Sequence, residues 1–169
     1  MDHVADFLSG KVVKVHKNEL DSFKNQAKKN KVKKRYRLCL HDTPENKLHE
    51  MLICRCLNDY SKPDKHVGTT ESHTIIEGTE MIILFDDEGE VTDAFLLDKE
   101  EGYISYRINA EIYHMTVPLT KTVIDYEVKS GPFDNSTNIF PEWAPEEDDE
   151  DSVIKFMENI KKEAQKFIK

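Results

Sequence analysis

Pro63-Asp64-Lys65-His66-Val67-Gly68-Thr69-Thr70-Glu71-Ser72-His73-Thr74-Ile75-Ile76-Glu77-Gly78 is the stretch on which the reading of this chain turns. Asp64 and His66 are two residues apart, so in extended chain their side chains project from the same face. Glu71 follows a short turn, at the start of the next predicted strand, and His73 shares its face by the same period. His114, from a strand much later in the chain, offers a second imidazole. Nitrogen and oxygen donors converging from neighbouring strands suit one hard or borderline divalent cation. A 2-His-1-carboxylate set with open positions would suit Fe, Mn, Ni or Zn and leave room for substrate. Spacing alone does not separate this set from unrelated surface histidines, because seven are scattered through the chain.

Outward from this stretch the pattern keeps a period of two and a β-rich composition. It predicts strands at 35–40, 50–57, 70–77, 81–85, 91–97, 102–108, 113–118 and 123–128. Asp86-Asp87-Glu88-Gly89 and Glu77-Gly78-Thr79 read as tight turns. A run of short strands with no helix among them predicts an all-β barrel or jelly roll. A helix is predicted on either side. Asn18 is the expected cap of the first, with Leu20, Phe23 and Ala27 on one side and Lys28-Lys29 in its last turn. The second spans about 152–168, where Val153, Met157, Ile160, Ala164 and Phe167 recur at helical spacing. Six consecutive acids at 146–151 read as a solvated linker whose end favours the helix N-terminus. The expected organisation is a helical segment at 1–34, a barrel at 35–145, and an acidic linker with a helix at 146–169.

With 169 residues, 38% apolar and 34% charged, the chain reads as one soluble domain with a heavily charged surface. A net charge of −9 argues against a nucleic-acid partner, which needs a basic field. Residues 28–37 carry seven basic side chains in ten, but no aromatic platform accompanies them, so a solvated helix end and edge strand is the expectation. The opening residues have no basic n-region followed by an apolar run, and no segment approaches a membrane span; a cytoplasmic protein with no membrane partner is expected. Cys39, Cys54 and Cys56 form neither a disulfide framework nor a Cys-x-x-Cys motif, and are expected as buried thiols.

Asp64-x-His66-x4-Glu71-x6-Gly78 resembles the first metal motif of the cupins, and the segment from Tyr106 to His114 resembles the second. The likeness narrows to the WbuC-type cupin-fold metalloproteins. It is carried by Arg37-Leu38-Cys39-Leu40-His41, Glu50-Met51-Leu52-Ile53, Tyr60-Ser61-Lys62-Pro63, Leu84-Phe85-Asp86-Asp87-Glu88-Gly89, Val117-Pro118-Leu119, Gly131-Pro132-Phe133-Asp134 and Trp143-Ala144-Pro145. It covers roughly residues 18 to 149. That family is associated with bacterial O-antigen and surface-polysaccharide gene clusters. The resemblance implies a double-stranded β-helix barrel with one divalent transition metal in its mouth. His66, Glu71 and His114 match the family's ligand positions. Asp64 does not, because the family pattern has Pro-His-x-His where this chain has Pro63-Asp64-Lys65-His66. Two outcomes stay open: a site of two histidines and two carboxylates that takes Mn, Fe, Ni or Zn, or a degenerate site in a barrel that binds its ligand without metal.

Arg37 and Arg107 also match family positions, in a chain with only four arginines, and are candidate clamps for an anion. Arg55 is expected in a surface ion pair, and His41 as a pocket-lining residue. Candidate proton-transfer groups are His73 and Tyr60. Trp143 is expected to pack a C-terminal loop onto the barrel. The implied function is a metal-binding cupin acting on a small polar or anionic, carbohydrate-related molecule, as an isomerase or epimerase of a sugar or sugar nucleotide. A non-catalytic binding module and an Fe(II) dioxygenase are the alternatives, and the resemblance leaves room for a homodimer through a sheet edge.

Overall fold

A computed structural model of the chain describes residues 5–30, 34–109 and 111–168. Lys31 and Lys33 of the basic run, Ala110 of the second motif and the residues at both extreme ends lie outside the described residues.

The period-two segments pair into two facing sheets. The larger has six strands in the order β1 (Ala5–Phe7), β2 (Arg35–Cys39), β3 (Leu48–Cys56), β10 (Thr122–Ser130), β5 (Glu71–Glu77) and β8 (Ser105–Ile108). The smaller has β7 (Val91–Leu97), β6 (Glu80–Phe85) and β9 (Tyr113–Pro118). A two-stranded ribbon of β4 (Lys65–His66) and β11 (Asn138–Ile139) extends it, because Asp64 and His114 bridge β4 to β9. Three of these strands, β1, β4 and β11, were not legible in the sequence. Each is two or three residues long, too short for a period to register.

Alternation along β10 shows how the interior is divided. Ile124 and Tyr126 face outward, where α1 (Leu20–Lys29) lays Phe23 and Ala27 against Tyr36, Leu52 and Cys54. Val123 faces inward and joins Ile75, Ile82 and Leu97 in an apolar plug between the sheets. Further along the same inward face come Asp125, Glu127 and Lys129, which carry the polar end of the barrel. On the smaller sheet, Met81, Ile83, Phe85 and Met115 pack beneath Met157, Ile160 and Ala164 of α2 (Glu150–Ala164). No helix among the described residues is long and apolar enough to cross a membrane.

Both helix starts differ from expectation. His16, rather than Asn18, is the cap: its Nδ1 accepts from Asn18 N at 3.2 Å while Glu19 Oε2 accepts from His16 N, and a 3₁₀ turn at Lys17–Glu19 leads into α1. α2 begins at Glu150 because Asp149 Oδ1 accepts from Ser152 N at 3.1 Å. The acidic run is therefore more than a solvated linker. Glu146 meets Lys62 and Glu147 meets Arg35, each at 2.6 Å, clamping the approach to α2 onto the barrel. Cys39 and Cys54 are buried free thiols, pushed by burial up to about 11 and about 12.

Trp143 locks the C-terminal loop down, with its ring against Phe85, Tyr113 and Phe156 and its Nε1 donating to the Asp87 carbonyl at 3.1 Å. The turn below it needs glycine twice over, since Gly89 has φ +91° and a Cβ there would come within 2.7 Å of the indole. Gly89→Val is expected to lower unfolding free energy by about 1–3 kcal/mol, read from urea unfolding on the fluorescence of the sole tryptophan.

Candidate metal centre

Two opposed walls meet at the polar end of the barrel. One carries Asp64, His66 and His114, fixed by reciprocal backbone bonds between residues 64 and 114 (Asp64 N to His114 O 3.2 Å; His114 N to Asp64 O 3.0 Å). The other carries Glu71 and His73 of β5, paired in register with Lys129 and Glu127 of β10.

Each imidazole is oriented through its Nδ1. That of His114 donates to the Ile112 carbonyl at 2.9 Å. That of His66 donates to Asn138 Oδ1 at 2.7 Å, and Lys129 Nζ, which can only donate, lies 2.9 Å from His66 Nε2 and fixes the same tautomer. Both Nε2 atoms then turn to Glu71, with His114 Nε2 2.6 Å from Oε1 and His66 Nε2 3.1 Å from Oε2. The Asp64 carboxylate reaches to 3.7 Å from His66 Nε2 and 4.0 Å from His114 Nε2. One donor atom from each of Asp64, His66 and His114 lies within 4.8 Å of the others.

Imidazole lone pairs facing a buried carboxylate repel unless a proton or cation lies between them. At His114 a proton meets this need: burial opposes the charge, but the hydrogen bond to Glu71 overrides it and raises the pKa above the usual histidine value. Glu71 is held well below the ordinary carboxylate range, the three histidines outweighing its burial. Burial raises Asp64. Two neutral-capable imidazoles and two carboxylates, pre-oriented by Asn138 and the Ile112 carbonyl, match the donor chemistry of a divalent transition ion.

Behind Glu71 runs a chain of buried charge. His73 Nε2 lies 3.6 Å from Glu71 Oε1, its Nδ1 donates to Asp125 Oδ2 at 2.8 Å, and Asp125 in turn holds Arg55. Glu80 closes the chain, 3.9 Å from Arg55 and fully buried, with its pKa pushed by burial up to about 8. Asp125 and Glu71 keep His73 protonated, although burial opposes it, so its proton is committed. Arg55 is thus part of a buried ion network, not the surface pair expected.

A cavity of about 480 Å³ opens onto the centre. Arg37, His41 and His73 line it. His41 stacks on His49, another wall residue, with ring centroids 4.3 Å apart. Two expectations are corrected. Arg107 does not reach the cavity: β8 turns Tyr106 and Ile108 inward beside His73 and Glu71, so the alternation sends Arg107 outward. Tyr60 is not a cavity residue either, because its hydroxyl donates to the Pro145 carbonyl at 2.9 Å and its ring packs edge-on to Phe156. Sequence reasoning missed Lys129, Glu127, Asp125, His49 and Asn138. The first three had a signal: charges at i, i+2 and i+4 on a strand flanked by apolar residues declare a polar interior face.

Residues 15–97 match the model of a domain of unknown function, DUF6016. No curated protein matches the chain. Among solved structures, the chain is similar to the capsular polysaccharide assembling protein CapF from Staphylococcus aureus, at 13% identity and a TM-score of 0.53, over 63% of this chain and 31% of that one. The fold is a cupin β-barrel. The chain aligns with about a third of CapF's length, and at this identity the likeness concerns fold alone. Bacillus subtilis oxalate decarboxylase, a protein with Mn(II) centres, is a more distant match (TM-score 0.45, 11% identity, 56% of this chain and 24% of that one). Protein SO0799 from Shewanella oneidensis matches at a TM-score of 0.49 and 11% identity, over 76% and 78% of the two chains.

Asp125→Asn leaves Arg55 and His73 facing a neutral amide in the dry interior. The expected loss is about 3–5 kcal/mol in urea unfolding, and a loss below about 1 kcal/mol would contradict the network. His73 is raised, so its pairing contributes fully below the unfolded value near 6.5 and fades as pH climbs through the folded one. The deficit of the variant should therefore shrink toward alkaline pH.

Proposed function

We propose that this cupin binds one divalent transition metal (Mn, Fe, Ni or Zn) through His66, Glu71 and His114, with Asp64 as fourth donor. Its substrate on this reading is a small polar, carbohydrate-related molecule, transformed in the manner of a sugar isomerase or epimerase. The observation that carries the reading is the convergence of two oriented Nε2 atoms on the Glu71 carboxylate, 2.6 and 3.1 Å away, at the wall of a cavity large enough for a monosaccharide derivative. The carbohydrate part is supported by the WbuC-type resemblance and by the likeness in fold to CapF, a capsular polysaccharide assembling protein.

The metal, when bound, supplies Lewis-acid polarisation of a carbonyl or hydroxyl oxygen. The chain's own residues supply the rest. Asn138 and the Ile112 carbonyl hold the two imidazoles in their ligating tautomers. Glu71 is a ligand, not a base, since its carboxylate is fully engaged by histidines. His73 keeps its proton for Asp125 and Glu71, and Lys129, whose Nζ stands at the cavity wall 2.9 Å from His66 Nε2, would yield that nitrogen's lone pair to the metal.

A second reading, a metal-free binding barrel, is favoured by that same lysine. Its ammonium lies 3.5 Å from Glu71 Oε2 as well and gives the carboxylate a cation of its own.

Metal analysis of protein purified without chelator separates the two. About one equivalent is expected, with thermal stabilisation by added Mn, Fe, Ni or Zn; absence of both would leave the binding barrel. His114→Ala should weaken metal affinity at least about tenfold. Asp64→His, at a position that faces the centre, should raise affinity for the softer Ni and Zn relative to Mn. Because His114 must release its proton, affinity should fall as pH drops below the raised value of that group, which competition titrations at several pH values will read.

A further inference from the structure

Among the described residues, the lysines and arginines that line the cavity are matched to partners with one exception. Arg35 meets Glu147 at 2.6 Å and the Tyr60 carbonyl at 3.0 Å; Arg55 holds Asp125; Lys62 meets Glu146 at 2.6 Å; Lys129 donates to His66. Arg37 has no such partner: among the described residues its guanidinium makes no hydrogen bond and has no carboxylate oxygen within 4.0 Å. Its surroundings do not compensate. Glu127 acts on it from further away, Arg35 and Arg55 add like charge, and burial works against its ionisation. A half-buried guanidinium without an acceptor is costly, and its planar fork is shaped for a carboxylate or phosphate.

The sheet order fixes where this charge stands relative to the metal centre. Arg37 is on β2 and Glu71 on β5, with β3 and β10 between them, which places the two strands about 14 Å apart. The inner row between them carries Cys39, Met51 and Glu127, paired in register, two soft apolar side chains beside one hydrogen-bond acceptor. That floor suits a hydroxyl-bearing ring with one apolar face, and the span is longer than a compact dianion needs.

We propose that Arg37 anchors the anionic end of an elongated ligand whose other end reaches the centre formed by His66, Glu71 and His114, so that the cavity takes a sugar acid or sugar phosphate rather than a neutral sugar. This rests on the proposed function for the identity of the far end, while the anchor itself depends only on Arg37. The two anion chemistries share the guanidinium fork and are separated by the probes below.

The test is calorimetric titration of the purified, metal-loaded protein with D-glucuronate, D-glucose 6-phosphate and D-glucose, repeated on Arg37→Met and Arg37→Lys. At least one of the two anions should bind about tenfold or more tightly than glucose, and the stronger one identifies the carboxylate or the phosphate. Arg37→Met should erase that advantage, Arg37→Lys should keep part of it, and metal content should match wild type in both. Because the guanidinium lacks a partner, the ligand-free unfolding midpoint of Arg37→Met should equal or exceed that of wild type, which shows that the variant is folded. Equal binding of glucose, no binding of either anion to wild type at millimolar concentration, or an undiminished anion advantage in folded Arg37→Met would each overturn the anchor. Selective anion binding by protein that takes up no metal would keep the anchor and overturn the metal reading, so the two can fail separately.

Discussion

Asp125 has no exposed surface, and a carboxylate in that position is tolerable only while Arg55 and His73 both face it. Much of the polar interior follows from that requirement. Holding His73 by its Nδ1 points Nε2 at Glu71, and Glu71 then has its two oxygens directed at His66 and His114. The geometry of the front of the site is in this sense set from behind. A register shift between Ile124 and Asp125 in the β10–β5 pairing lies at the same place, where a local irregularity re-aims the strand's inward side chains.

The division of the barrel into an apolar plug and a polar cavity has the same origin in alternation. Each strand commits one face to a helix or to solvent and the other to the interior, and composition changes along the inward face rather than across it. On β10 the change comes between Val123 and Asp125; on β5 it comes between Ile75 and His73. Because neighbouring strands change at the same level, charges meet charges and apolar groups meet apolar groups. The two helices close the outer faces, and the acidic segment before α2 is pinned by Lys62 and Arg35, whose side chains also line the cavity. The C-terminal segment is therefore coupled to the wall of the site through ion pairs rather than merely appended to the barrel.

Most of this fold was legible because its information is periodic. The strands from β5 to β7, and β9, lie within about a residue of their expected bounds, since a long alternation and a glycine turn fix both ends. Convergence of Asp64, His66, Glu71 and His114 was legible only through the resemblance to the two cupin motifs, because spacing alone did not set these residues apart from the other histidines. What the sequence did not yield is set by tertiary context. Arg107 and Arg37 look alike on paper, yet alternation turns one outward and one inward, and a one-residue difference in register decides which. Tyr60 lies three residues from Pro63 in a matching motif, but Pro145, remote in sequence, takes its hydroxyl. Arg55 read as a surface residue because nothing local announces that Asp125, seventy positions away, will be buried beside it.

Position 64 is best understood through charge. An imidazole there would leave Glu71 as the single carboxylate of the centre; aspartate adds a second, partly buried one whose ionisation burial already resists. The chain supplies a compensating cation in Lys129, which stands opposite Glu71 in register and lies within 3.5 Å of its carboxylate. A divalent ion held by two carboxylates and two neutral imidazoles is formally balanced, and the lysine then leaves the centre with a net positive charge. Farther along the same inner face, Arg37 adds another positive charge with no carboxylate oxygen within 4.0 Å among the described residues. The protein is acidic overall, at −9, yet this inner face sets two cations, Lys129 and Arg37, around the Glu127 carboxylate. The aspartate that departs from the cupin-motif spacing and the lysine the sequence did not flag thus offset one another's charge on either side of Glu71.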